Sequence, residues 1–186
     1  MQIEKKKIKI STGEFVIGFA GRLVDVKGCE YLLRALPFIE FDYKCIIAGD
    51  GYLRNHLEKL TEDLRIQDKV IFLGYQEDMV NFYSLLDVYV MPSLSEASPM
   101  AFYEAQAYGI PIIGSNVPAI DEFIIPYENG LLFEVKNYKD LSDKLNTIYK
   151  NSILRAKINK FSIKNIQKYS LDNYLKGLKE IYLDLK

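Results

Sequence analysis

The feature of the sequence that most constrains the fold is a regular alternation between short apolar runs and longer amphipathic segments. The apolar runs, each long enough for one buried strand, cover residues 15–20, 45–48, 70–73, 88–91, 111–113 and 131–133. Segments with helical spacing separate them at residues 28–38, 52–65, 77–86, 99–108 and, as a short helix, 118–125. Strands that alternate with helices are typical of βαβ units. We therefore predict an α/β fold, a Rossmann-like, doubly wound parallel sheet of about six strands with helices on both faces.

The carboxy-terminal part of the chain follows a different pattern. After residue 137 the spacing is purely helical, with predicted helices at residues 138–150, 153–169 and 171–185, the last with a strong apolar stripe. The 186 residues, 49% of them hydrophobic, suit one domain with a sizeable core. We divide the chain into a basic lead-in (1–13), a Rossmann-like domain (14–170) and a carboxy-terminal amphipathic helix (171–186).

Small or turn-forming residues mark the carboxyl ends of five predicted strands. These residues are Gly21, Gly49, Gly74, Pro92 and Gly114. In an open parallel sheet, ligands bind in the crevice beyond the carboxyl ends of the strands. The functional site is therefore expected where these loops meet.

The sequence disfavours several classes of site and protein. Cys29 and Cys45 form no CxxC pair and lie among apolar residues, so we predict buried free thiols rather than zinc ligands. The single histidine, His56, has no partner at a spacing typical of a hydrolase triad. Neither a GxGxxG motif nor a Walker phosphate loop occurs, which disfavours NAD-binding and P-loop proteins. No apolar run approaches the ~20 residues of a membrane span, and we expect a cytoplasmic protein.

The loop after the first predicted strand, residues 21–28, places two cations between glycines. Arg22 can donate parallel hydrogen bonds to two phosphate oxygens, and Lys27 adds a compact positive charge. At the carboxyl edge of a sheet, these cations suit a diphosphate. A solvated surface loop would show the same pattern, so the loop alone leaves both interpretations open.

The start of the predicted helix at 99–108 has the features of an anion site. Ser98 followed by Pro99 is a typical N-cap and first helical residue. The backbone N–H groups of Met100 and Ala101 would then have no partner within the helix, at the positive end of the helix dipole. This segment therefore adds anion-binding groups to the same edge of the sheet.

Two glutamates flank this helix start. Glu104 is the only charged residue within an otherwise apolar helix, where a lone carboxylate is costly unless it is paired or binds a ligand hydroxyl. Glu96 precedes the helix and is expected to face the same crevice. The alternatives are structural: a helix-dipole partner for Glu96, and a buried salt bridge for Glu104.

In order and spacing, these motifs resemble the donor-binding domain of retaining GT-B glycosyltransferases of group 1, the domain that binds a nucleotide-diphospho-sugar. The resemblance covers about residues 14–170. The residues that carry it are Gly21-Arg22-Leu23 with Lys27-Gly28, Glu96 and Glu104 with seven residues between them, and Ala107-x-Gly109-x-Pro111. The sequence departs from the family at Ala97, where glycine is usual.

The resemblance implies a diphosphate-binding role for five residues. Arg22 and Lys27 would bind the donor diphosphate with their side chains. Ser98 and the backbone of Met100 and Ala101 would bind its distal phosphate.

It also implies roles around the rest of the donor. Glu104 would accept hydrogen bonds from the ribose hydroxyls, and Glu96 would be the catalytic residue that faces the sugar. Gly74, Tyr75 and Gln76 would border the base, largely through main-chain contacts.

The resemblance further implies what the protein does. Its family transfers a sugar from a nucleotide-diphospho-sugar, here expected to be a UDP- or GDP-sugar, to an acceptor with retention of anomeric configuration. No cofactor and no metal are expected, because cations and a helix N-terminus stabilise the leaving group. Polysaccharide biosynthesis, at or near the inner face of a membrane, is the expected setting.

The partners expected from the resemblance are the nucleotide-sugar and an amino-terminal acceptor-binding domain, which we expect to be missing from these 186 residues; no nucleic acid is expected. We expect the chain, as a fragment or a truncated gene product, to bind nucleotide and to be inactive alone. Two alternatives remain open at this point. One is a GT-B-related nucleotide-sugar epimerase domain, and the other is a non-enzymatic α/β interaction domain.

Overall fold

A computed structural model describes residues 10–11, 13–97 and 100–184, without the side chains of residues 171, 174, 177, 180, 181 and 184. Within these ranges there are six strands: Phe15–Ala20 (β1), Tyr43–Ala48 (β2), Val70–Gly74 (β3), Val88–Met91 (β4), Ile112–Ser115 (β5) and Gly130–Phe133 (β6). The α-helices there are Cys29–Ala35 (α1), Arg54–Asp63 (α2), Met79–Ser84 (α3), Met100–Ala107 (α4), Tyr138–Lys150 (α5), Ser152–Ile166 (α6) and Leu171–Asp184 (α7).

The strands form one parallel sheet in the order β3-β2-β1-β4-β5-β6. The strand order reverses between β1 and β4, where Ile17 pairs with Val88 and Gly18 with Tyr89. Such a reversal leaves a crevice beyond the carboxyl ends of the two strands. The predicted fold is therefore confirmed, and a ligand site is expected at this crevice.

Two apolar cores cover the two faces of the sheet, because alternate residues of a strand point to opposite faces. In β4, Val88 and Val90 join the core beneath α1, α2 and α5. Tyr89 and Met91 join the other core, beneath α3 and α4. Because these strands are buried on both faces, they appear in the sequence as continuous apolar runs.

Residues 118–125 are not helical, and the prediction of a short helix there is wrong. Residues 118–123 form consecutive turns, residues 124 and 125 have no regular secondary structure, and Ala119 has a left-handed backbone with φ of 69°. Ile120 and Ile124 pack closely against β5, since a Cβ on Gly114 would lie 2.6 Å from Ile120 and 2.5 Å from Ile124. Gly114 also lies within β5 rather than after it. The helix-like spacing of apolar residues here comes from turns that pack on the sheet.

The carboxy-terminal helices occupy their predicted positions. In α7, Leu175, Leu178 and Tyr182 of the predicted stripe are exposed. The lead-in at residues 1–9 and the end of the stripe at Leu185 lie outside the described residues. Among the helices described, none has the length and apolar character to cross a bilayer.

Both cysteines are buried and free, as predicted. Burial raises the pKa of the Cys29 thiol well above its ordinary value, and the nearby Cys45 adds to the rise. Burial likewise raises the pKa of Cys45. Both thiols therefore stay neutral and serve as small apolar side chains of the core.

Candidate functional site

A cavity of about 290 Å³ opens at the switch point between β1 and β4. Its walls are the ends of these strands, the loops that follow them and the first turn of α4. Five of the candidate residues from the sequence line it, namely Arg22, Lys27, Glu96, Met100 and Ala101. The structure therefore places the two cations, one of the two carboxylates and the start of the helix around one space.

Gly28 allows the loops after β1 and β4 to meet at this cavity. Its φ is 62°, and a Cβ there would lie 2.0 Å from the carbonyl oxygen of Pro92. Only glycine combines this left-handed backbone with so close an approach. Nearby, the backbone N–H of Leu94 donates to the carbonyl of Val26 over 2.8 Å. These contacts fix the position of Lys27 relative to the residues after β4.

Lys27 and Glu96 form an ion pair within the cavity. Lys27 Nζ lies 2.6 Å from Glu96 Oε1, and the two side chains are 26% and 10% exposed. The hydroxyl of Ser93 donates to the same carboxylate oxygen over 2.8 Å. Because Glu96 is only partly solvated, two donors offset the cost of removing its charge from water. Glu96 is therefore more than a helix-dipole partner, since it is paired with one of the predicted diphosphate ligands.

Arg22 is exposed and lines both this cavity and a second one beside it. Within the described ranges, no ion pair engages its guanidinium group. The first cavity thus offers one cation that is already paired and one that is available to an anion.

The first turn of α4 faces the cavity through Met100 and Ala101, as predicted. Met100 is exposed although it is a large apolar residue. Ser98 and Pro99, the predicted N-cap and first helical residue, lie outside the described residues.

Glu104 lies one turn further along α4, on the same side of the helix as Met100. It is exposed, so the sequence-based argument that a buried helix carries this charge is wrong. The hydroxyl of Tyr83 donates to Glu104 Oε2 over 2.7 Å. Within the described residues, the predicted alternative of a salt bridge is not found at Glu104, and Glu104 is not part of the lining of either cavity.

A chain of buried aromatic residues connects Glu104 to the end of β1. The rings of Tyr83 and Tyr89 meet edge to face with centroids 5.7 Å apart. The Tyr89 hydroxyl donates to the carbonyl of Ala20, which lines both cavities. Burial, the neighbouring Tyr89 and Glu104 raise the pKa of the Tyr83 phenol, so the phenol remains a proton donor at neutral pH. Glu104 is thus tied through protein contacts to the rim of both cavities.

The second cavity, of about 310 Å³, lies between the ends of β1, β2 and β3. Of the three residues predicted to border the base, Tyr75 and Gln76 line this cavity and Gly74 is not part of its lining. Gly74 instead accepts a hydrogen bond from the Gly49 N–H over 2.8 Å. The Gln76 side-chain amide donates to the carbonyls of Leu73 and Tyr75. The cavity wall is therefore formed largely by loops whose backbone groups bind one another.

Two residues of the site were not singled out from the sequence. Ser93 could have been noticed, because it is a hydroxyl residue just after a strand end and three residues before Glu96. Tyr83 gave no such signal, because it lies in a short apolar helix 21 residues before its partner. A cluster of three or more His, Cys, Asp or Glu residues able to bind a metal ion is not found among the described residues.

Comparison with known proteins agrees with the resemblance seen in the sequence. The family model described as glycosyl transferases group 1 matches residues 1–165. An uncharacterized glycosyltransferase of Methanocaldococcus jannaschii is 33% identical over 183 residues, which are 96% of this chain and 47% of that protein. The chain spans about half the length of the curated relatives it matches.

Solved structures share the fold. Anabaena HepE, solved in complex with UDP, has a TM-score of 0.91 at 20% identity, and the match covers 97% of this chain and 51% of that one. A Helicobacter pylori chain, solved as the catalytic domain of cholesterol-alpha-glucosyltransferase, has a TM-score of 0.77 at 24% identity. That match covers 84% of this chain and 99% of the other. Together with the family model, which matches most of the chain, these findings show that the chain belongs to the group 1 glycosyltransferases and has the fold of one GT-B domain.

Proposed function

We propose that this chain binds the nucleotide-diphospho-sugar donor of a retaining glycosyltransferase in the crevice between β1 and β4. The observation that carries the proposal is the cavity at the switch point, where Arg22, Lys27 and the first turn of α4 surround one space. Three sources of positive potential around one cavity suit a diphosphate better than a neutral ligand. The UDP bound to Anabaena HepE, which shares the fold, supports a uridine nucleotide as the first candidate.

The cations would serve both binding and chemistry. When the bond between the sugar and the diphosphate breaks, negative charge increases on the phosphate oxygens. Arg22 and Lys27, with the backbone of Met100 and Ala101 and the adjacent Ser98, would stabilise that charge. The backbone donors at the start of α4 are held by the fold and would need little rearrangement as the charge develops, which favours the transition state over the ground state. No metal ion is needed in this scheme.

Glu96 would act at the sugar. It lies on the wall of the same cavity as the cations, and Lys27 and Ser93 restrict its carboxylate to one orientation. A carboxylate held in this way can orient the sugar and stabilise positive charge that develops on its anomeric carbon. We therefore assign Glu96 as the catalytic residue.

The second cavity would accept the base, and Glu104 would bind the ribose between the base and the diphosphate. Arg22 lines both cavities, so they lie side by side, and each would accept a different part of one nucleotide. Tyr75 and Gln76 would border the base. Because the adjoining loop backbones shape this wall, the choice between UDP- and GDP-sugars would depend on shape and main-chain groups.

We further propose that these 186 residues bind nucleotide and transfer no sugar by themselves, because the acceptor site belongs to the other GT-B domain. The chain spans about half of its curated relatives, which fits one domain of two. Joined to the other half, it would transfer sugar with retention to a polysaccharide precursor at the inner face of a membrane. The resemblance to the family supports the retention and the setting.

Titration calorimetry of the chain with UDP, GDP and ADP, each with Mg²⁺ and with a chelator, tests the donor site. We expect one diphosphate to bind, without need of metal, and the double variant Arg22→Ala/Lys27→Ala to weaken it by about a hundredfold. The matched control is Arg34→Ala/Lys150→Ala, which removes two cations that are paired with carboxylates away from both cavities. Absence of binding to all three nucleotides would contradict the proposal.

Transfer and retention are tested with a longer protein in which this chain is joined to an amino-terminal GT-B domain. Incubation with the preferred UDP- or GDP-sugar and acceptor extracts, followed by proton NMR of the new glycosidic linkage, reports the anomeric configuration. Retention requires the same configuration as in the donor, and the opposite configuration would contradict it. The 186-residue chain, assayed in parallel, should give no product.

A further inference from the structure

The hydrogen bond between Tyr83 and Glu104 lies next to the proposed donor site. Neither residue lines one of the two cavities, so the site as described so far gives this hydrogen bond no role. Tyr83 is only 2% exposed, and its hydroxyl donates to Glu104 Oε2 over 2.7 Å. A buried phenol needs a partner, but water or a backbone carbonyl would serve that need equally well. Here the partner is a carboxylate on the surface of a different helix.

Glu104 needs such a partner if it is to recognise a ligand. An exposed glutamate has several rotamers, and fixing one of them on binding costs free energy. Within the described residues, Tyr83 is the single side chain that donates a hydrogen bond to this carboxylate. The contact holds Oε2 and leaves Oε1 and the remaining lone pairs available to hydroxyl groups of a ligand.

Tyr83 itself is rigidly held. Its ring contacts the ring of Tyr89 at 5.7 Å and stacks on Tyr108 at 5.7 Å. The Tyr89 hydroxyl is in turn bound to the carbonyl of Ala20 at the rim of both cavities. The position of the Glu104 carboxylate is therefore set relative to the cavity by buried rings and by the end of β1.

We propose that Tyr83 is a positioning residue that holds Glu104 ready to accept both ribose hydroxyls of the donor, and that this pair selects ribonucleotides over deoxyribonucleotides. The proposal rests on the proposed function, since it assumes that a nucleoside diphosphate occupies the crevice. A rigid acceptor favours the ligand that presents two adjacent hydroxyls, because the cost of ordering Glu104 has been met before binding. A ligand without those hydroxyls gains nothing from the arrangement.

The test compares Tyr83→Phe with wild type in titration calorimetry against UDP, 2′,3′-dideoxy-UDP and pyrophosphate, or the matching set for GDP or ADP if wild type prefers one of them. We expect Tyr83→Phe to lower the affinity for UDP by about fivefold, because the substitution removes a hydrogen bond to a charged group and solvent compensates only in part. The dideoxy nucleotide and pyrophosphate should bind equally well to both proteins. The matched control, Tyr108→Phe, removes a phenol oxygen from the adjacent stacked ring and should leave all three affinities unchanged.

A double-mutant cycle separates positioning from general damage to the fold. In a Glu104→Ala background, Tyr83→Phe should have no further effect on UDP affinity, because the carboxylate that it positions is gone. Equal weakening of all three ligands, or no change in any, would overturn the positioning role while leaving the donor site intact. If wild type binds none of the ligands, the proposed function itself fails, and the role of Tyr83 fails with it.

Discussion

The two cavities at the edge of the sheet share Ala20, Gly21 and Arg22, yet they are built from different groups. The first is lined by Lys27 and Glu96, which form an ion pair, and by Arg22. The second is lined by small residues together with Asp50, Tyr75, Gln76 and Met79, and its loops bind one another through their backbones. We therefore expect the first cavity to recognise charge through side chains and the second to recognise shape.

This difference sets what each kind of mutation can do. Changes to Lys27 and Glu96, the charged side chains that line the first cavity alone, should alter the binding of the diphosphate and leave the base region unaffected. Changes to the backbone of the loops after β1 and β4 should alter the geometry of the first cavity as a whole, because backbone contacts hold these loops in place.

The largest effect is expected where the backbone holds the charged cavity together, at Gly28. Gly28→Ala places a Cβ 2.0 Å from the Pro92 carbonyl oxygen in a left-handed backbone with φ of 62°. The loops after β1 and β4 must then separate, so we expect the free energy of unfolding to fall by about 3 kcal/mol and nucleotide binding to be lost. Urea denaturation and calorimetry measure the two effects.

Gly74→Ala is the matched control for unfolding. Gly74 has a similar φ of 69°, but a Cβ there would meet only the end of the flexible Arg54 side chain at 3.3 Å. We expect the free energy of unfolding to fall by about 1 kcal/mol, which is the cost of placing alanine in a left-handed backbone. Equal losses of unfolding free energy in Gly28→Ala and Gly74→Ala would show that the contact between the loops after β1 and β4 contributes nothing to stability.

The second prediction changes the charge balance of the first cavity. Glu96→Gln removes the negative charge beside Lys27, which lies 2.6 Å from the native carboxylate. An incoming diphosphate then meets an unpaired Lys27 and no repulsion from Glu96, so UDP affinity should rise by about tenfold. Calorimetry measures the affinity, and in the longer enzyme the same variant should lose transfer, because Glu96 is assigned to the reacting centre.

Glu58→Gln is the control for this variant, because it removes a carboxylate that pairs with Arg54 on α2, outside the lining of either cavity. It should leave UDP affinity unchanged. A fall in affinity on Glu96→Gln would mean that the carboxylate helps to hold the nucleotide, and the assignment of Glu96 to the sugar would then be wrong.

The third prediction uses salt to distinguish the two cavities. Raising the NaCl concentration from about 50 to about 500 mM should lower the affinity for UDP by about fivefold, because ions screen the partly exposed cations of the first cavity. Uridine, which lacks the diphosphate, should bind equally at both salt concentrations. Parallel titrations of the two ligands measure the difference, and equal salt dependence would contradict the separation of charge from shape.

The same contrast explains how much could be predicted from the sequence. Strands that are buried on both faces appear as unbroken apolar runs, which is why the sheet and the place of Arg22, Lys27 and Glu96 at its edge were predictable. Apolar spacing failed at residues 118–125, because turns that pack Ile120 and Ile124 on the sheet give the same pattern as a helix. The spacing of apolar residues along the sequence does not distinguish such turns from a helix.

The environment of Glu104 was misjudged for a related reason. The helix α4 is apolar nearly all round, so its sequence does not identify the open face. The structure buries Phe102 and Ala105 and exposes Met100 and Glu104. The partner of Glu104, Tyr83, comes from α3, and only the strand order brings these helices together. Such a contact depends on topology and leaves no local pattern in either segment.

The smallest effect is expected in the second cavity, at Gln76. Its side-chain amide is engaged by the carbonyls of Leu73 and Tyr75, so it stabilises the loop more than it offers groups to a ligand. Gln76→Ala should therefore weaken UDP and uridine by about the same factor, roughly twofold, and leave pyrophosphate unchanged. Glu77→Ala, a change at the adjacent exposed residue, is the control. A larger loss for UDP than for uridine would mean that the Gln76 loop also supports the diphosphate, and that charge and shape are not recognised in separate cavities.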